Sequence, residues 1–149
     1  MEWVTKLHNT TVGLDTAPLL YFIGKHPLYL DLVKAFFQAV DRGDVNVVTS
    51  AVTLTEVLVH SMRKKDVELV QRYRDILLFS PGIATLPVSP RIAEESARLR
   101  ADYGFKTPDA IQIATAMFAG AQTFLTNDKR LKRISSIQVL ILDDLLGSK

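Results

Sequence analysis

Short apolar stretches alternate with longer amphipathic ones from one end of this chain to the other, and no other feature limits its folds as strongly. "TTVGLD" (10–15), "VNVVTS" (45–50), "IATLPVS" (83–89), "TFLTN" (123–127) and "IQVLIL" (137–142) read as brief, buried strands bounded by polar or proline punctuation. Between them lie helical patterns. "TAPLLYFIG" (16–24) carries Thr16 as a cap and Pro18 in its first turn, where a missing N–H costs little. "LYLDLVKAFFQAVDRG" (28–43) sets Val33, Phe36, Phe37 and Val40 on one face and stops at Gly43. "AVTLTEVLVHSMRKK" and "DVELVQRYRDILLF" follow the second strand. Ser89 and Pro90 start "RIAEESARLRADYG", closed by Gly104, and Thr107 and Pro108 start "DAIQIATAMFAGA", where Ile111, Ala114, Thr115 and Phe118 share a face. Such alternation predicts an α/β fold: a central parallel sheet of about five strands with helices on both faces.

The length of 149 residues suits a single domain, 1–149, and no Pro- or Ser-rich linker, internal repeat or low-complexity tract divides it. The chain has no cysteine, which removes disulfides and thiolate metal sites and fits a reducing, cytoplasmic setting. Its most apolar runs fall far short of the roughly 20 residues needed to span a bilayer, and "MEWVTKLHNTT" has no signal-peptide core, so no membrane association is expected. A net charge of +2 permits a polyanionic partner without requiring one; "RKK" (63–65) and "KRLKR" (129–133), each taken alone, read as solvated helix ends.

Sites in open α/β sheets form at the carboxyl ends of the strands. Asp15 ends the first strand and Asp128 follows the fourth. Asp109 opens the helix leading into that fourth strand, and Glu56 lies about a turn into the helix after the second. Taken singly, most of these acids have a structural explanation. Asp109 complements a helix dipole, Glu56 forms a capping box with Thr53, and Asp128 belongs to a polar turn. Asp15, between an apolar strand and an apolar helix, is harder to explain without a partner. As a set they would be costly: two carboxylates about 4 Å apart repel by about 4 kcal/mol at an effective dielectric near 20. A divalent cation relieves that cost, and an all-oxygen donor set with no neighbouring histidine suits Mg²⁺ or Mn²⁺. His8, His26 and His60 are scattered and read as surface or structural residues.

"GLDTAPLLYF", "SAVTLTEVLVH", "TPDAIQIATAMFAGAQTFLTNDKRL" and "IQVLILDD", in that order, resemble the PIN domain, and especially its small, stand-alone VapC-like members. The resemblance covers almost the whole chain; the spacing from Asp109 to Asp128 and the "TND" ending are its most specific parts. It implies a three-layer α/β/α fold and an Mg²⁺- or Mn²⁺-dependent ribonuclease whose acidic quartet is Asp15, Glu56, Asp109 and Asp128, supported by Thr126 and Asn127. It also implies a homodimer and, for toxin members, a cognate antitoxin. In that reading the acids hold one or two metal ions on the scissile phosphate, and in-line attack leaves a 5′-phosphate and a 3′-hydroxyl. Asp15 and Asp109 would be the main ligands, with Lys129 and Arg130 meeting the RNA backbone. Other Asp-bearing α/β classes fit poorly. A haloacid-dehalogenase-type phosphatase needs a second aspartate where Ala17 stands, and "DTAPLL" lacks a dinucleotide-binding glycine turn. The alternative is a non-catalytic RNA- or protein-binding module on the same fold.

Overall fold

The computed structural model describes residues 1–148. The strands β1 (Thr11–Leu14), β2 (Asn46–Ser50), β3 (Ile83–Leu86), β4 (Thr123–Thr126) and β5 (Gln138–Ile141) form one sheet in the order β3-β2-β1-β4-β5. Every pairing is parallel, with Val12 opposite both Val47 and Thr123, and Thr126 opposite Ile141. The parallel α/β fold expected from the alternation is therefore present.

Among the described residues seven α-helices connect and flank the strands: α1 (Glu2–Thr5), α2 (Thr16–Ile23), α3 (Leu30–Asp41), α4 (Ala51–Arg63), α5 (Val67–Phe79), α6 (Pro90–Tyr103) and α7 (Thr107–Phe118). Short 3-10 turns at Lys129–Arg133 and Leu142–Leu145 flank β5. Period-two alternation along the strands splits the interior into two cores. Val12, Leu14, Val47 and Leu125 face one core with Phe36, Phe37, Val57 and Leu77 from α3, α4 and α5. Val48, Phe124 and Val139 face the other with Ile92, Leu99, Ile113 and Ala116 from α6 and α7.

Helix α7 packs against β1, β2 and β4 as well as α4 and α6, so its residues are buried nearly all round. Gly13 on β1 makes that approach possible: a Cβ there would lie 2.4 Å from Ala116 Cβ and 2.9 Å from Phe124 Cδ1. A glycine in a central strand is ordinarily a weakness; here it marks where a helix presses onto the sheet.

Local signals fare unevenly. Ser89 caps α6 by accepting from the Ile92 N–H, and Gly104 ends it at φ 71°, both as read. Thr16 does not cap α2; it is the first helical residue, and the cap is Asp15, whose Oδ1 accepts from the Thr16 N–H at 2.8 Å. The capping box of Thr53 and Glu56 does not form either. Ser50 caps α4, and Thr53 lies fully buried among polar neighbours. Phe118, the last residue of α7, does not share the burial of Ala114 and Thr115: it is 52 % exposed, with the Arg91 guanidinium over its ring. The N-terminal lead, left without structure by the sequence reading, folds as α1 and contributes Trp3, Val4 and Leu7 to the core, with Trp3 stacked on Phe36.

Candidate functional site

Strand order reverses around β1. The chain leaves β1 toward β2 and β3, then returns through α6 and α7 to place β4 on the other side. The carboxyl ends of β1 and β4 thus border the crevice in which ligands settle in such sheets. Asp15 follows β1 directly, its N–H donating to the Leu125 carbonyl of β4 at 3.0 Å. Thr126, the last residue of β4, is fully buried and donates its hydroxyl to Asp15 Oδ2 at 2.6 Å. The same hydroxyl accepts from the Asp128 N–H at 3.1 Å, so one threonine fixes both the first acid and the turn carrying the last.

Asp15 is the most perturbed acid. Burial pushes its carboxyl up to about 6, the hydrogen bonds from Thr126 and Thr16 oppose that rise, and the charges of Asp109 and Glu56 add to it. Burial also raises Asp109, followed by the charge of Asp128; Arg130 works against the rise, Glu56 adds to it, and Lys106 opposes it. The acids on β1, α4 and α7 therefore feel one another, and Asp109 links them to the acid beyond β4.

Asp128 behaves differently. Arg130 grips it through two bonds, Nε to Oδ1 at 3.0 Å and Nη2 to Oδ2 at 2.6 Å, and holds its carboxyl below the usual carboxylate range. Asp128 Oδ1 also caps the following 3-10 turn by accepting from the Arg130 N–H. Among the described residues no three of these acids, or any other Asp, Glu or His side chains, stand together as a ready ligand set. In donor chemistry the residues fit a hard divalent cation. They are all oxygen donors, no lysine or arginine among the described residues forms an ion pair with Asp15, Glu56 or Asp109, and the Asp15 carboxylate is destabilised by burial, with the charges of Asp109 and Glu56 adding to it.

Asn127 joins the site to its surroundings. Its Nδ2 donates to the Tyr21 hydroxyl at 3.1 Å, and its Oδ1 accepts from the Asp143 N–H at 2.9 Å. Tyr29 donates to Asp143 Oδ1, Lys129 pairs with Oδ2 of the same carboxylate, and together they depress its pKa. Lys129 is thereby tied to Asp143 and Arg130 to Asp128, so both cations assigned to RNA are already paired with acids.

Several contributors escaped the sequence reading. Lys106, just before α7, is close enough to oppose the rise at Asp109 and to lower Asp128. Thr49, Thr53, Thr16 and Gln112 form a buried polar network behind the acids. Gln112 carried a visible signal, since it interrupts the apolar run "DAIQIATA". No helix among the described residues is long and apolar enough to cross a membrane.

Comparison with known proteins agrees with this architecture. No curated protein sequence matches the chain. Among solved structures, VapBC2 from Rickettsia felis, bound to a promoter DNA fragment, superposes with a TM-score of 0.70 at 21 % identity, covering 88 % of this chain and 98 % of that one. A toxin–antitoxin complex from Klebsiella pneumoniae gives 0.65 at 25 % identity, covering 89 % and 98 %. VapC20 from Mycobacterium tuberculosis, a toxin that cleaves the sarcin–ricin loop, gives 0.67 at 14 % identity, covering 87 % and 99 %. The family profile of the PIN domain matches residues 12–137, a span that holds β4, β1 but for its first residue, and all four acids, and on that match the chain belongs to the PIN domain family.

Proposed function

We propose that this protein, a single PIN unit over 1–149, is a metal-dependent endoribonuclease of the VapC toxin type. The observation that carries the proposal is the mutual crowding of Asp15, Glu56 and Asp109 at the switch-point edge, with the Asp15 carboxyl pushed up to about 6. A pocket of carboxylates is stable with its charges on only when a cation shares it, and these oxygen donors suit Mg²⁺ or Mn²⁺. Asp15, Asp109 and Glu56 would hold the ion, and Asp128 would join them once Arg130 gives way. Such an ion, when bound, eases deprotonation of water and neutralises charge on a phosphodiester. Thr126 orients Asp15, and Asn127 braces the turn that carries Asp128. Arg130, released from Asp128, and Lys106 supply positive charge for the RNA backbone, a contact blind to sequence.

Single-stranded or looped RNA fits best, because its phosphates are accessible. The VapBC complexes support an antitoxin as protein partner, and a homodimer is proposed beside it on the family resemblance alone. The grip of Arg130 on Asp128 favours a second reading, a non-catalytic RNA- or protein-binding module, because it ties up one acid of the quartet.

The test is to incubate the purified protein with a panel of end-labelled RNAs in Mn²⁺ or EDTA and to sequence the product ends. Cleavage only with Mn²⁺, leaving 5′-phosphates and abolished in Asp15→Asn, is the expected result. RNA retention without metal-dependent cleavage supports the second reading and defeats the first.

A further inference from the structure

We infer that Gln112 is a positioning residue for Glu56, acting through the hydroxyl of Thr16. The inference rests on the reading of Glu56 as a metal ligand given above. Gln112 sits on α7 at 2 % exposure, and a buried amide is tolerable only if its hydrogens are used. Its Nε2 donates to Thr53 Oγ1 at 2.6 Å and to Thr16 Oγ1 at 3.1 Å.

The direction of these bonds follows from chemistry. An amide NH₂ can only donate, so each hydroxyl that accepts from it must send its own hydrogen elsewhere. Thr49 shares its hydrogen between the Leu14 carbonyl at 2.8 Å and Thr53 Oγ1 at 2.9 Å, so Thr53 already accepts from both Gln112 and Thr49. Thr16 then has one good outlet, Glu56 Oε1 at 2.8 Å, and a carboxylate can only accept. The arrangement is fixed at one end by an obligate donor and at the other by an obligate acceptor.

Glu56 needs such a tether. It is an exposed side chain on α4 with three rotatable bonds, and among the described residues Thr16 is its only hydrogen-bond partner. Without the Gln112 donor, the Thr16 hydroxyl is free to turn inward to Thr53, 3.3 Å away, and Glu56 loses its orientation. Outer partners of metal-ligating side chains commonly contribute 10–100-fold to metal affinity.

The experiment measures Mn²⁺ dissociation constants by electron paramagnetic resonance of the free ion. It compares the parent with Gln112→Met, Thr16→Val, Thr16→Ser, Glu56→Gln and the Gln112→Met/Thr16→Val double variant. Gln112→Met and Thr16→Val should each weaken binding about 10-fold. The double variant should be no weaker than Thr16→Val, and Thr16→Ser should retain the parent affinity. Parent affinity in Gln112→Met beside weakened binding in Glu56→Gln overturns this inference alone, as does a double variant in which the two losses multiply. Unchanged binding in Glu56→Gln overturns the ligand role of Glu56 and this inference with it. If Gln112→Met does not fold, the Thr16 pair decides: Ser tight and Val weak supports the tether, and equal affinities overturn it.

Discussion

Replacing Asp15 by asparagine should stabilise the metal-free protein at neutral pH and lose that advantage in acid. Burial, reinforced by the charges of Asp109 and Glu56, moves the Asp15 carboxyl from 3.8 to about 6 despite its two hydrogen bonds. That difference corresponds to about 3 kcal/mol against the folded state once the pH exceeds both values. Asp15 keeps partial contact with solvent, which reduces the figure to about 2 kcal/mol. Asparagine removes the charge but turns an N–H₂ toward Thr126, whose hydroxyl now donates to Oδ2 and would lose that acceptor, at a cost of about 1 kcal/mol. The net gain at pH 7.5 is about 1 kcal/mol, or roughly 2–4 °C in Tm for a chain of this size. The sign follows from the raised value: the stability linked to this carboxyl is fully present below 3.8 and is lost as the pH climbs through about 6. Near pH 4 both proteins carry a mostly neutral group in the folded state, so the advantage should vanish or reverse. Calorimetry of both proteins in EDTA at pH 4 and pH 7.5 tests this. A Tm difference of the same sign and size at both pH values would refute the electrostatic argument.

Other perturbations address other parts of the molecule. Mn²⁺ at about 100 times its dissociation constant should stabilise the parent by about 2.7 kcal/mol, and Asp109→Asn should lose most of that gain in thermal melts. In Arg130→Gln the Asp128 carboxyl, no longer gripped, should titrate closer to the ordinary carboxylate range by NMR; an unmoved titration would deny the ion pair its role. Gly13→Ala should cost about 3 kcal/mol in urea denaturation, because the added methyl meets Ala116 Cβ at 2.4 Å between a central strand and α7. Trp3→Ala should cost about 3 kcal/mol by the same assay, and a loss near zero would show that α1 is not part of the core.

Much of the architecture was legible because each strand carries a short β-branched or aromatic run and the helices after α1 carry a 3.6-residue pattern. Val47 and Val48 enter opposite cores, as period-two alternation requires. Placing acids at strand ends from the parallel topology put Asp15 and Asp109 within electrostatic reach of each other without coordinates. What sequence could not resolve was which of several equivalent local groups is used. Asp15, Thr16, Ser50 and Thr53 are all competent caps, and tertiary hydrogen bonds from Gln112, 96 residues after Thr16 and 59 after Thr53, draw both threonines inward instead. The pairing of Lys129 with Asp143 was equally hidden, since it depends on how the two 3-10 turns meet beside β5. The contribution of α1 was missed because a four-residue helix has too little pattern to read.

Acids just after β1, on α4 and α7 and in the turn after β4 are proposed to form one cation site. Equilibrium dialysis against Mn²⁺, counting ions bound per chain in the parent and in an Asp15→Asn/Asp109→Asn variant, tests it most directly. At least one ion per parent chain, with none retained by the folded variant, is the predicted result. Equal uptake by the two proteins would contradict it.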